Sequence, residues 1–159
     1  MGLIMALPVV MSSCGDDDDE APASETANST FTINGTPGGK ILYSLCEDTP
    51  GGNVAIEVHF DFDNERYDLN LSISNLTIAD LYAGLDITGH LKLYRFYPST
   101  TMFWGDIRYE IIGGTAHVTS VRDSEVVVSY NNLKFTREIG EYGTPETFVL
   151  NGTISYTID

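Results

Sequence analysis

The sequence predicts an all-β fold, an antiparallel β-sandwich with a closed barrel as the alternative, on three observations. Apolar and polar residues alternate with a period of two along most of the chain from Thr30 onward. Gly, Asn, Asp and Ser cluster between the alternating runs at close spacing, and only residues 76–85 have room for a helical turn or two. Many short strands with at most one short helix is the pattern of sandwiches and barrels, which periodicity alone does not separate.

Residues 30–34 and 40–46 read as the first strands. Val54, Ile56, Val58, Phe60 and Phe62 alternate with Ala55, Glu57, His59 and Asp61; Tyr67, Leu69, Leu71 and Ile73 alternate with Asp68, Asn70, Ser72 and Ser74. The polar Asp63-Asn64-Glu65 between them predicts a hairpin over 54–74 with one apolar and one wet face. In LTIADLYAGL, residues 76–85, Thr77 can cap a helical turn. Further strands are expected over 87–97, 106–112, 115–121 and 125–136, with Gly113-Gly114 and Asp123-Ser124 as turns. Phe148, Leu150, Ile154, Tyr156 and Ile158 share one parity, and Asn151-Gly152 in their midst predicts a bulge. TFTINGT at 30–36 and TFVLNGT at 147–153 echo each other; both read as edge or terminal strands using the same Asn-Gly chemistry.

The stretch LKLYRFYPSTTMFWGDIRY, residues 91–109, is the richest in binding chemistry. Leu91 and Leu93 lie on the core side, and continued alternation puts Tyr94 and Phe96 on the opposite face beside Lys92. Either a bulge near Tyr94 resets the register, or these aromatics are displayed outward. Exposed rings beside polar groups hold sugars, because a pyranose face stacks on an aromatic plane while its hydroxyls take directional hydrogen bonds; they also anchor protein interfaces. Phe103 and Trp104, the latter the only tryptophan, read first as a roof over one end of the core, as bulky aromatics usually are, and second as part of such a surface. A binding site here would comprise Tyr94, Phe96, Tyr97, Phe103 and Trp104, with Arg95 and Arg108 as polar partners.

Other constellations carry less. Glu57, Asp61, Asp63 and Glu65 have the spacing of strand-borne acids, as a glycoside hydrolase needs, but Asp63 and Glu65 fall where a turn already calls for acids. A calcium loop fails because Arg66 stands where Gly is required. His59, His90 and His117 fall on polar parities of three different strands, so they read as exposed sheet-face residues before they read as zinc ligands. Cys46 has no catalytic signature around it and reads as a buried thiol. No cofactor or metal is implied, and the domain is expected to be non-catalytic.

Formal net charge is −15; six of the 23 acids and none of the 8 bases precede residue 30, so the remainder holds 17 acids against 8 bases, a charge of −9. Such a surface repels phosphate backbones, which argues against nucleic acid as a partner. Residues 1–11 are uncharged and apolar, too short to cross a bilayer as a mature helix but the length of a signal-peptide core. Met11-Ser12-Ser13-Cys14 resembles the lipobox of bacterial lipoproteins, and the resemblance implies cleavage before Cys14 and a lipid on its thiol. Gly15 followed by Asp16, Asp17, Asp18, Asp19 and Glu20 is similar to the export signal of Bacteroidetes-type lipoproteins, which carries them to the outside of the outer membrane. A run of like charges is also an extended, solvated spacer, and both readings can hold together. The expected organisation is therefore a lipoprotein signal peptide at 1–13, a lipidated Cys14 with a flexible acidic tether to residue 29, and a single all-β domain at 30–159.

In YDLNLSISNLTI and TFVLNGTISYTI the domain resembles small uncharacterised all-β modules of Bacteroidetes lipoproteins, some of them sandwiches and some calycin-like barrels. That resemblance assigns no functional residue. The function expected from placement and the aromatic stretch is recognition at the cell surface, of glycans before proteins, with membrane attachment through Cys14. Its rivals are an accessory subunit of an envelope complex and a small hydrolase using Glu57, Asp61 or Asp63.

Overall fold

The computed structural model describes residues 29–99, 106–140 and 143–159. The expected signal peptide, Cys14, the acid run 16–20, Phe103 and Trp104 lie outside them. Among the described residues nine strands run in chain order: β1 (Thr30–Ile33), β2 (Thr36–Pro37), β3 (Ile41–Thr49), β4 (Asn53–Phe62), β5 (Glu65–Ser74), β6 (Leu91–Pro98), β7 (Ile107–Arg122), β8 (Glu125–Ile139) and β9 (Glu146–Thr157). They form a five-stranded sheet of order β2-β1-β9-β8-β7 and a four-stranded sheet of order β3-β4-β5-β6, antiparallel throughout. The two sheets share one hydrophobic core and do not close into a barrel, so the architecture is the sandwich.

The hairpin expected over 54–74 is present in full register from Asn53 opposite Ser74 to Phe62 opposite Glu65. Its turn is two residues, Asp63 and Asn64, both at positive φ (51° and 64°), a conformation Asp and Asn tolerate and whose twist suits a tight hairpin. The helical turn expected within 76–85 is present as one 3-10 turn, Ile78–Asp80, with Thr77 as its cap: the Thr77 N–H and hydroxyl both donate to Asp80 Oδ2, at 2.8 and 2.7 Å. A longer helix loses to tertiary pairing. The chain instead runs along the edge of β7, where Gly84 N–H donates to Val118 O, Val118 N–H to Leu85 O and Ile87 N–H to Ala116 O.

Gly113-Gly114 is not a turn. The segments expected at 106–112 and 115–121 are one 16-residue strand, β7, with the glycines inside it. A line of irregular pairing crosses the sheet here, through Gly113-Gly114 on β7, Asn131-Asn132 on β8 and Asn151-Gly152 on β9. On β8 the buried positions change parity, from Val126, Val128 and Tyr130 to Leu133 and Phe135, whereas Leu150, Ile154 and Tyr156 of β9 keep theirs. The bulge expected at Asn151-Gly152 is therefore carried by extra residues on the partner strand, held by Asn132 N–H donating to Asn151 Oδ1 at 2.7 Å. Gly114, at φ +86°, is required: a Cβ there would stand 2.0 Å from Asn132 O. The echoed heptads prove to be neighbours, Thr30 opposite Thr153 through Ile33 opposite Leu150. Asn34-Gly35 makes the β1–β2 turn, but Asn151-Gly152 lies inside a central strand, so the two pairs do different work.

Edge strand β6 is tied across to the other sheet: Phe96 N–H donates to the Tyr109 hydroxyl at 3.1 Å, and Arg137 Nη1 donates to Phe96 O at 2.9 Å. At β3, Asp159 N–H donates to Cys46 O at 3.3 Å.

Deep in the core the Tyr130 and Tyr156 hydroxyls bond each other at 2.7 Å, so neither is left unsatisfied. Burial raises both phenol pKa values above 10.0 and pushes the Cys46 thiol from 9.0 up to about 12. The thiol is thus kept protonated and unreactive. In each case the folded chain holds a proton that the unfolded chain releases earlier. Stability from these groups is complete below about pH 9 and is lost as pH rises from there toward the folded values. Urea midpoints are expected to be insensitive to these groups below about pH 9 and to fall steadily above it; a midpoint unchanged at about pH 11 would contradict their burial.

Candidate functional site

The core-facing side of the four-stranded sheet takes Val54, Ile56, Val58, Phe60, Leu69, Leu71 and Ile73, which leaves the alternate residues of β4 and β5 on its outer face. Strand register aligns these outer residues in rows. Tyr43, His59, Asp68 and Tyr97 stand opposite one another across β3, β4, β5 and β6; Leu45, Glu57, Asn70 and Arg95 form the next row.

Beta-strand β6 resolves the ambiguity of its aromatics. Asn70 pairs with Arg95 but Leu71 pairs with Leu93, so Tyr94 is the extra residue of a bulge. The bulge resets the alternation: Tyr94 is 62% exposed and Phe96 is 0% exposed. The expectation that Phe96 belongs to a binding surface is corrected accordingly. Its ring packs against Tyr67, Phe135 and Phe148 at centroid separations of 5.3, 5.1 and 4.8 Å. Arg108 is also displaced from the proposed group: it is exposed on β7, in the other sheet, opposite Glu138. Tyr94, Arg95 and Tyr97 do come together on the outer face of the four-stranded sheet.

Asp68 organises that face. Although it lies on the wet side of the hairpin it is only 5% exposed. Ser99 Oγ donates a short hydrogen bond to Asp68 Oδ1, Arg95 Nη1 approaches Oδ2 at 3.4 Å, and His59 Nε2 lies 3.6 Å from Oδ1. A buried carboxylate needs such partners, and here they fix three side chains from two neighbouring strands and the loop after β6. His59 Nε2 also donates to Glu57 Oε1 at 2.5 Å, and its ring lies 5.1 Å from that of Tyr43. The Arg95 guanidinium sits over the Tyr97 ring at 5.0 Å. The result is a rigid strip of hydrogen-bonding groups flanked by Tyr43, Tyr94 and Tyr97.

Beside the strip lies an open depression of about 280 Å³ between Thr49, Asn53, Glu57, Asn70, Ser72 and Tyr94. Its lining mixes one aromatic ring with hydroxyl, amide and carboxylate groups.

The other weighed residues are elsewhere. Asp61, Asp63 and Glu65 are exposed at the end of the β4–β5 hairpin. His90 Nδ1 donates to Ser74 O at 2.9 Å, and His117 Nε2 lies 3.7 Å from Asp86 Oδ2, so the three histidines do not share a site. Among the described residues no three His, Cys, Asp or Glu side chains are placed to hold a metal ion.

Sequence reasoning missed Tyr43, Asp68 and Asn70. Two of them were within reach: once the turn is set at Asp63 and Asn64, counting outward pairs His59 with Asp68 and Glu57 with Asn70. Tyr43 was not, because the pairing of β3 with β4 depends on a longer loop and an irregular register near Ile41. No protein-family model, curated protein or solved structure matches the chain.

Proposed function

We propose that this chain is a lipid-anchored protein facing outward from a bacterial outer membrane, and that the outer face of its four-stranded sheet binds glycans without catalysis. Placement rests on the likeness of residues 11–20 to a lipobox followed by an acidic export signal. The observation that carries the binding reading is the strip itself: tyrosines at positions 43, 94 and 97 stand beside hydrogen-bonding groups locked around Asp68. Rings for stacking next to pre-oriented polar groups are what a sugar requires, and pre-orientation spares the ordering cost on binding. A non-catalytic role fits acids that are either committed, as Asp68 is, or exposed at a hairpin end, as Asp61 and Asp63 are.

Glycan-array binding by the full chain tests this. Tyr94→Ala is expected to weaken binding about 10-fold or more, with stability changed by no more than about 0.5 kcal/mol because the side chain touches little. Retained binding in that variant would move the site off this face. An array without signal would favour a protein partner and an accessory role. Placement is tested by alkyne fatty-acid labelling and external protease on intact cells: label that survives Cys14→Ala, or full protection from protease, would reject it.

A further inference from the structure

We infer that the depression beside Tyr94 selects an uncharged sugar, whose hydroxyl donates to the Asn70 side-chain oxygen at its wall, in preference to an acidic one. This rests on the glycan reading of the same face. Three polar side chains of the depression are already engaged: the Thr49 hydroxyl donates to Asn53 O at 3.0 Å, Asn53 Oδ1 accepts from Asn75 N–H at 3.1 Å, and Glu57 Oε1 accepts from His59 Nε2. Asn70 Oδ1 is different. It is closed off from water and no donor reaches it, the only buried side-chain oxygen or nitrogen in that state among the described residues. Buried acceptors are almost always satisfied, and one that is not, in the lining of an open depression, awaits a donor from outside.

The neighbouring charges decide which donor. Glu57 lines the same depression, so a uronate or sulfate would meet a carboxylate there. Arg95 does not offset it for a ligand, since the guanidinium is paired with Asp68 and laid over Tyr97. Acceptors of this kind favour the hydroxyls of a neutral pyranose, and Tyr94 supplies the ring beside it. Tyr94 lines the same depression and makes no hydrogen bond, ion pair or ring contact among the described residues, so none of these opposes the turn of its side chain as a sugar approaches Asn70.

Affinity electrophoresis of the full chain tests the inference, in gels containing either a neutral polysaccharide (barley β-glucan, galactomannan or arabinoxylan) or an acidic one (polygalacturonate or chondroitin sulfate). At least one neutral gel is expected to retard the protein. Asn70→Leu, similar in volume but without the acceptor, should weaken that retardation about 10-fold while melting no lower than the wild type, because it also removes an unsatisfied polar group. A purely structural role for Asn70 would instead lower the melting temperature. Retardation by acidic gels only, abolished in Tyr94→Ala, would overturn the neutral-sugar inference and leave recognition by this face standing. Unchanged retardation of Asn70→Leu in a neutral gel would overturn it as well. Retardation in no gel would overturn both the inference and the glycan reading beneath it.

Discussion

Phe96→Ala is expected to lower the free energy of unfolding by about 3–5 kcal/mol, the range for deleting a fully buried aromatic ring. Phe96 is the ring through which the two sheets meet at one end of the sandwich. It comes from β6, touches Tyr67 of its own sheet, and packs edge-on against Phe135 and Phe148 of the other. Removing it leaves a cavity bounded by side chains that cannot all collapse inward, since Tyr109 and Arg137 still hold the backbone of residue 96 in place. Urea denaturation measures the loss directly. A cost below about 1 kcal/mol would mean that the ring does not fill the core, and with it the bulge at Tyr94 would be in doubt. The adjacent pair makes the measurement decisive: Tyr94→Ala should change binding and spare stability, and Phe96→Ala should do the reverse.

Gly152→Ala should destabilise by about 3 kcal/mol or more, combining a disfavoured backbone conformation with a clash. Gly152 has φ +106°, and a Cβ on it would stand 2.2 Å from Thr30 O and 2.7 Å from Phe31 Cα. Both obstacles are backbone of the neighbouring strand, so no side chain can rotate out of the way. β1 would have to retreat from β9, taking Phe31 and Ile33 out of the core. Gly35→Ala is the control. Gly35 is also at positive φ, +80°, but nothing lies within 4 Å of its added Cβ, so only the conformational penalty of about 1 kcal/mol applies. Denaturation of the two variants, with amide exchange across residues 30–33, separates the contributions. Equal losses would show that the close approach of β1 to Gly152 is absent.

The sandwich was legible where local rules act alone. Val54 to Ile73 alternate so regularly, around so short a polar turn, that pairing partners could be counted from the sequence. Legibility failed where glycine and asparagine serve a long strand rather than a turn. Gly113-Gly114 reads like punctuation, yet the need met there is room for the Asn132 carbonyl, which arrives from another strand. In the segment 76–85 the helical turn and its Thr77 cap were legible, but not the partners that Gly84, Leu85 and Ile87 find on β7, which no local pattern announces. At the site, Tyr94, Arg95 and Tyr97 were recognisable as an aromatic and basic cluster. Phe96 could not be told from them, since one inserted residue decides which rings face in. Asp68 reads as an ordinary wet-face acid, and its burial depends on Ser99 and Arg95 folding over it.

The side-chain bonds to Phe96 matter to more than the core. A sandwich ends in strands whose outer backbone groups are templates for a strand from a second molecule. On β6 both the N–H and the carbonyl of Phe96 are already taken, by Tyr109 and Arg137. On β7 the chain at 84–87 occupies Ala116 and Val118, and on β3 Asp159 occupies Cys46. An arriving strand would have to evict these partners before forming its own ladder, so the middle of each of these three edges resists intermolecular pairing even where copies of the protein are crowded together.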